Sequence, residues 1–178
     1  NVLRTGLSSY VKKFESTAKD AQILLAEVEN PSQFGVVKIE KNKILQIIEK
    51  PKNPPSNFAV IGVYFLTPKI FEIIKQLKPS WRGELEITEA LQLLMDNGLD
   101  IDHDYVTGWW KDTGTPEDIL HANKLILESM VNKEKQNSNS VFVGKNCIIA
   151  PDSKILGPVI IGDNTTIHSS AIIGPFVS

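Results

Sequence analysis

The sequence predicts an α/β domain with a mixed sheet, followed by a short parallel β-helix. Three observations carry this. Apolar runs of strand length, Ala21–Val28 and Asn57–Leu66, alternate with stretches of helical spacing, as in layered α/β folds. A hairpin pattern is inserted among them, so the strands are not all parallel. From residue 141 an apolar residue returns every six positions, at Val143, Ile149, Ile155, Ile161, Ile167 and Ile173. Neither a helix nor a strand has that period, whereas a coil with three flat sides of six residues does.

At 178 residues the chain is long for one average domain and short for two, which suggests one domain plus an extension. With 42% apolar and 22% charged residues it has enough material for a core. Nineteen basic against twenty-one acidic residues give a formal charge of −2, with no basic block to hold nucleic acid or an anionic membrane. The single cysteine, Cys147, excludes an internal disulfide framework and suits a reducing cytoplasm. The longest apolar run, Phe58–Leu66, is too short to span a bilayer, and no signal-peptide pattern opens the chain. The chain begins on Asn1-Val2-Leu3 without Met and reads as a fragment that starts within a domain.

In order, Leu7, Tyr10, Val11 and Phe14 predict an amphipathic helix over 6–17. Ala21–Val28 is a strand buried on both faces, and Asn30-Pro31-Ser32 a turn. Gly35–Ile39 and Ile44–Ile48 flank Lys41-Asn42-Lys43 as a hairpin. Lys50–Pro55, with three prolines, is an extended loop. After the strand Asn57–Leu66, Thr67-Pro68 forms a cap-plus-proline start, and Ile70, Phe71, Ile74 and Leu77 give the next helix a buried stripe. A helix from about Glu86 to Asn97 turns Ile87, Leu91, Leu94 and Met95 inward and ends at a left-handed Gly98. Asp100–Thr107 is a partly exposed strand.

Trp109-Trp110-Lys111-Asp112-Thr113-Gly114-Thr115-Pro116-Glu117-Asp118 reads as a strand end, a tight loop with one acid, and a helix start. Thr115 is the cap, Pro116 occupies the first helical position, and Asp118 closes a capping box. Asp112 is thereby fixed outside the sheet edge, where ligands and metals collect in α/β folds. Ile119, Leu120, Asn123, Ile126, Leu127 and Met130 carry the following helix. Asn137-Ser138-Asn139-Ser140 is a linker between domains at 1–136 and 141–178. Residues 141–176 supply two coils, with Gly144, Gly162 and Gly174 easing corners. Two coils leave a flat apolar edge, so either the β-helix is cut short or its edge is covered.

With these features in view, the chain resembles sugar-1-phosphate nucleotidylyltransferases, most closely the long glucose-1-phosphate thymidylyltransferase-like enzymes with a C-terminal left-handed β-helix. The resemblance covers the whole chain. It rests on Phe34-Gly35-Val36-Val37, Ile48-Glu49-Lys50-Pro51, Asn57–Phe65, Arg82-Gly83-Glu84-Leu85-Glu86-Ile87-Thr88 and Trp110-Lys111-Asp112-Thr113-Gly114. It implies the C-terminal half of a Rossmann-like nucleotide-diphospho-sugar transferase domain, truncated at both ends. It implies a magnesium-dependent reaction of dTTP or UTP with a hexose 1-phosphate, giving a dTDP- or UDP-hexose and pyrophosphate. A phosphate oxygen is already a competent nucleophile, so catalysis is a matter of alignment and of neutralising phosphate charge.

By the same resemblance, Asp112 is one of two aspartates holding Mg2+, and Lys50 and Arg82 face the sugar phosphate. Glu49 accepts from sugar hydroxyls, main-chain groups of Gly35 and Val63 orient the ring, and Trp110 packs beside it. The glycine-rich triphosphate loop, the second aspartate and the base-reading residues are expected before Asn1, so the fragment alone should be inactive. Lys111 stands where an apolar residue is common. The β-helix implies a homo-oligomer in the cytoplasm.

Each assignment has a plainer competitor. One acid such as Asp112 also fits a loop brace, Glu49-Lys50 a polar strand end, and Arg82 a solvated or ion-paired loop residue. Trp109 and Trp110 fit core and rim packing, and Glu84, Glu86 and Glu89 fit service to their helix start. His103 and His121 lack ligand spacing. Cys147 reads as an inert buried or rim thiol. His168, at a coil corner, reads as exposed decoration and not as an acetyl-transfer base. Two other functions remain open: a non-catalytic regulatory or assembly subunit of the same fold, and a bifunctional enzyme with acetyltransferase activity in the β-helix.

Overall fold

A computed structural model describes residues 1–133 and 140–178; the linker expected at Asn137–Ser140 lies outside them except for Ser140. The chain divides into two compact units, Leu3–Trp110 with Asn1, and Lys111–Ser178 with Val2.

The first unit opens with β1 (Val2–Leu3, whose first residue groups with the second unit) and α1 (Ser8–Ser16). There follow β2 (Ala21–Glu27), a single 3-10 turn at Pro31–Gln33, β3 (Gly35–Glu40), β4 (Lys43–Glu49) and β5 (Phe58–Leu66). Then come α2 (Ile70–Ile74), α3 (Ile87–Asp96), β6 (Ile101–Tyr105) and β7 (Trp110–Lys111, whose last residue groups with the second unit). The main sheet has the order β4-β3-β5-β2-β6. It is antiparallel except for the β2–β6 pair, so it is mixed, as the inserted hairpin requires.

β2 lies inside the sheet, between β5 and β6, and is buried through Ala21–Ala26, with Gln22 as its one polar member there, which explains its nearly unbroken apolar sequence. Alternate residues feed two cores. Ile23, Leu25, Val37, Ile47 and Val60 meet Ile70 and Ile73 of α2 and Leu91 and Leu94 of α3. Leu24, Ala26 and Ile61 meet Tyr10 of α1, with Val63, Phe65 and Trp110 at the margin. The hairpin turns on Lys41 and Asn42, both with positive φ. That is the twist-matched two-residue turn of antiparallel strands, so Lys43 belongs to β4 and not to the loop.

Some local expectations give way. Thr67 caps nothing: its hydroxyl is buried without a hydrogen-bond partner among the described residues, and the Thr67 carbonyl instead accepts from Ile70 N–H in a turn that delays α2. That short helix buries Ile70 and Ile73, leaving Phe71 exposed and Ile74 partly so, because five residues present one (i, i+3) pair to the sheet. Gly98 does end α3 in the left-handed region, with Gly98 and Leu99 amides returning to the Met95 and Leu94 carbonyls.

The second unit begins with α4 (Pro116–Lys133). Its capping box is present: the Thr115 hydroxyl accepts from Asp118 N–H at 3.2 Å, and the Asp118 carboxylate accepts from Thr115 N–H at 3.2 Å. Lys111 pairs with Asp118 at 2.6 Å. Ala122, Leu127 and Val131 form the buried face of α4, so Ile119 and Leu120 point to solvent. Asn123 donates to the Phe176 carbonyl at 2.9 Å, and Lys124 sits over the Phe176 ring. α4 therefore packs against the last residues of the chain.

Six short strands follow: β8 (Val141–Val143), β9 (Ile148–Ile149), β10 (Lys154–Ile155), β11 (Val159–Ile161), β12 (Thr166–Ile167) and β13 (Ile172–Ile173). β8 pairs with β11, β9 with β12 and β10 with β13, all parallel and all 18 residues apart in sequence. This is a three-sided β-helix of two coils. Ile161 and Ile167 are buried at its centre, while Val143 is half exposed. Corners are tied by side chains reaching between coils. Asp163 accepts from Lys145 N–H at 2.6 Å, and Asp152 accepts from Ser170 N–H at 2.9 Å and from the Ser169 hydroxyl at 2.7 Å. Gly144 is required where a Cβ would run into Asp163 and the Gly162 backbone. Cys147 rims the small core, and His121 and His168 are exposed.

Asp20 joins three segments of the first unit. Its carboxylate accepts from Lys69 at 2.7 Å and from Asp100 N–H at 3.0 Å. Those two bonds, Lys69 first, hold it below the ordinary aspartate value of 3.8. A lowered folded value stabilises the fold above the unfolded value, and the effect is lost as pH falls through the folded one. Asp20→Asn should therefore cost about 1 kcal/mol at neutral pH, after allowance for the exposed Lys69. Urea unfolding should show the difference from the parent shrinking below pH ~4 and vanishing in stronger acid.

Candidate functional site

The open end of the β3–β4 hairpin gathers the polar side chains. Gly35 begins β3 and pairs across the ladder with Glu49, the last residue of β4. Alternation puts both on the sheet face that carries α2 and α3. Lys50 then leaves the strand at φ 39°, its N–H donating to the Phe34 carbonyl at 3.0 Å. This left-handed step turns the chain into the proline loop and separates the Lys50 side chain from the ladder. Pro51 behind it is buried. Lys50 forms no ion pair among the described residues.

Glu49 is held from two directions. The Thr88 hydroxyl, in the first turn of α3, donates to Oε2 at 2.8 Å, and Arg82 Nη1 lies 3.6 Å from Oε1. The positive end of α3 adds to the hold on the carboxylate. A Cβ on Gly35 would collide with the Thr88 methyl and stand 3.1 Å from the Glu49 carboxylate. Glycine is thus needed for the close approach of helix and hairpin. Tyr64 shares the neighbourhood: burial, with the Glu49 charge adding to it, pushes its phenol up.

Arg82 stands in a rigid loop. The Ser80 hydroxyl accepts from Arg82 N–H at 3.1 Å and donates to Glu86 at 3.0 Å, while Ser80 N–H donates to the Glu84 carbonyl at 2.8 Å. The guanidinium pairs with Glu86 at 3.1 Å through Nη1 and with Glu84 at 3.0 Å through Nη2. Glu86 is buried and makes no side-chain cap on α3; its carboxylate serves Arg82 instead of the helix start, the role the sequence suggested. Thr88 was legible only as part of the quoted motif. Nothing in its spacing marks it as the partner of a residue 39 positions away.

Of the sequence candidates in the first unit, Gly35, Glu49 and Arg82 come together, with Lys50 adjoining. Val63 lies on β5 with its side chain in the α1-side core, so its main chain is what it can offer a ligand. Trp110 packs edge-on against Phe34, ring centroids 5.7 Å apart, and its indole N–H donates to the Asn1 side chain at 3.0 Å. That agrees with a packing role at the rim. His103 is buried, with an edge contact to Tyr105, and burial holds its imidazole below the usual value.

Asp112 belongs to the second unit. One of its oxygens accepts from Thr113 N–H at 3.0 Å. The other would lie 3.3 Å from a Cβ on Gly114, so the glycine leaves it uncrowded. Among the described residues no group of three or more His, Cys, Asp or Glu side chains is placed to hold a metal. No described helix is long and apolar enough to cross a membrane.

The nucleotidyl transferase family profile matches residues 1–129, and the profile for bacterial transferase hexapeptide, six repeats, matches 140–175. A glucose-1-phosphate thymidylyltransferase of Streptomyces antibioticus is 40% identical over 100% of this chain and 52% of its own length. The low-salt glycan biosynthesis nucleotidyltransferase Agl11 of Haloferax volcanii is 52% identical over 76% of this chain and 38% of its own. Among solved structures, a putative glucose-1-phosphate thymidylyltransferase from Bacillus anthracis, in complex with a sucrose, aligns with a TM-score of 0.63. It is 40% identical and covers 70% of this chain and 50% of its own. The chain thus spans about half or less of the length of these relatives.

Thr88→Val should remove the donor from a largely buried carboxylate and cost about 1–3 kcal/mol in urea unfolding. Thr88→Ser, which keeps the hydroxyl, should recover most of that loss.

Proposed function

The chain belongs to the nucleotidyl transferase family, and from that premise we propose that it forms the sugar-phosphate side of an enzyme that joins a nucleoside triphosphate to a hexose 1-phosphate. The observation that carries the reading is the grouping of Glu49, Thr88 and Arg82 at the end of the hairpin, with Lys50 adjoining. A fixed carboxylate is an acceptor for sugar hydroxyls, and an arginine and a lysine supply the charge a phosphate needs. Main-chain groups of Gly35 and Val63 would orient the ring, and Trp110 would wall its rim.

The reaction needs no base, because the sugar phosphate oxygen is already anionic; the residues hold it in line with the phosphorus it attacks and pyrophosphate leaves. Asp112 fits one carboxylate of a Mg2+ site, since that ion takes one or two protein carboxylates and completes its shell with water and phosphate oxygens. Bound there, the ion would neutralise charge on the triphosphate. The preferred products are dTDP- or UDP-hexose, and these substrates place the protein in the cytoplasm. The β-helix, with Ile148 and Ile172 exposed on its sides, suits contacts between copies.

Titration of glucose 1-phosphate into the 178-residue chain should show binding. Arg82→Ala and Lys50→Ala should each weaken it about tenfold or more, as loss of a charge-assisted phosphate contact does. The chain alone should release no pyrophosphate with dTTP or UTP. The protein in its full natural length should do so with magnesium, and Asp112→Asn should abolish that. Absence of sugar-phosphate binding together with absence of turnover in the full-length protein would overturn the reading.

A further inference from the structure

We infer that Glu84 is a displaceable counter-ion on Arg82, occupying the guanidinium edge that an incoming phosphate must take; the inference rests on the sugar-phosphate reading of the site. Arg82 is shared among three carboxylates, and they are not equivalent. Glu86 and Glu49 have side chains only 10% and 14% exposed, and both face Nη1. Glu84 is 59% exposed and holds Nη2 at 3.0 Å, and that is the only contact of its carboxylate among the described residues. Glu86 is further tied to Ser80, and Glu49 to Thr88, so neither can leave without breaking a second bond.

The loop itself does not have to move for the exchange. Ser80 holds the Arg82 amide and the Glu84 carbonyl, and Gly83 N–H donates to the Ser80 carbonyl at 2.8 Å. Only the Glu84 side chain swings away, while Nη1 stays on Glu86. With one guanidinium against three acids, the loop with Glu84 in place repels anions. A phosphate dianion outcompetes the Glu84 carboxylate at Nη2 through its greater charge, and a weaker anion does not. Glu84 is thus a positioning residue that keeps Arg82 extended before the ligand arrives and then yields its place.

The test is calorimetric titration of glucose 1-phosphate into the 178-residue chain and its variants at ionic strengths of ~0.02 M and ~0.15 M. Glu84→Gln should tighten binding about two- to fivefold, the range set by loss of one exposed competing pair, with the larger gain at low salt. Glu84→Asp, which keeps the charge, should return toward the parent affinity. Glu89→Gln removes an acid near the same helix start that makes no ion pair with Arg82, and should leave affinity unchanged. In the full-length enzyme Glu84→Gln should lower KM for the sugar phosphate and leave kcat alone, a split that a purely structural role would not produce. Equal or weaker binding by Glu84→Gln, or an equal gain in Glu89→Gln, overturns the inference and leaves the site reading standing. No binding in any variant overturns the inference, and if the full-length protein also shows no turnover the site reading falls with it.

Discussion

The geometry of the site rests on one missing side chain. With no Cβ on Gly35, the first turn of α3 can approach the hairpin until the Thr88 hydroxyl reaches Glu49. That bond sets the carboxylate, the carboxylate helps set Arg82, and Arg82 gathers Glu84 and Glu86. A methyl group at position 35 would push the helix back and lengthen the contacts of Thr88 and Arg82 with Glu49. The helix is itself anchored by Leu91 and Leu94 in the sheet's larger core, so its first turn is a rigid arm and not a flexible loop.

The β-helix solves a different problem with small, repeated devices. Each coil alone could bury almost nothing, since its inward positions carry one branched residue per side. Stacking at an 18-residue offset puts Ile161 and Ile167 out of water and satisfies the backbone through parallel ladders. The corners then need polar ties, which Asp152 and Asp163 supply to amides of the neighbouring coil. Hydrogen bonds from Ser169 first, and then from the main chain, hold the Asp152 carboxylate below the ordinary aspartate value. Asn123 of α4 donates to the Phe176 carbonyl, which ties the helix to the coils.

What was legible in the sequence is what depends on periodicity and on local backbone chemistry. The six-residue repeat names the β-helix, the Asn42 turn names the hairpin, and Thr115 with Asp118 names the start of α4, because each signal is complete within a few residues. The faces of the short or half-covered helices were not legible. Which residues of α2 and α4 are buried depends on where the sheet and the coils stand, and local spacing allows Phe71 or Leu120 as readily as Ile73 or Leu127. The site divides in the same way. Glu49, Lys50 and Arg82 stand out because they fall in motif-like strings, whereas the roles of Thr88, Glu86 and Ser80 exist only once the loop before α3 is folded against the hairpin. Reading Glu86 as a helix-start acid follows from its position in sequence, and its burial beside Arg82 overrides that position.

The charge balance around Arg82 constrains what this end of the sheet can recognise. Three carboxylates around one guanidinium make the place unwelcoming to an anion that brings nothing else, and Lys50 adds only one further positive charge. A ligand that brings hydroxyl groups as well as a phosphate is in a different position. On the proposed reading its donors would meet Glu49, whose negative charge then attracts and does not repel, while its phosphate would meet Arg82 and Lys50. Acid and base at this site would then be complementary to the two ends of one molecule. The acids, which look like an obstacle to phosphate binding when counted as charges, are what would make the site prefer a sugar phosphate to phosphate itself.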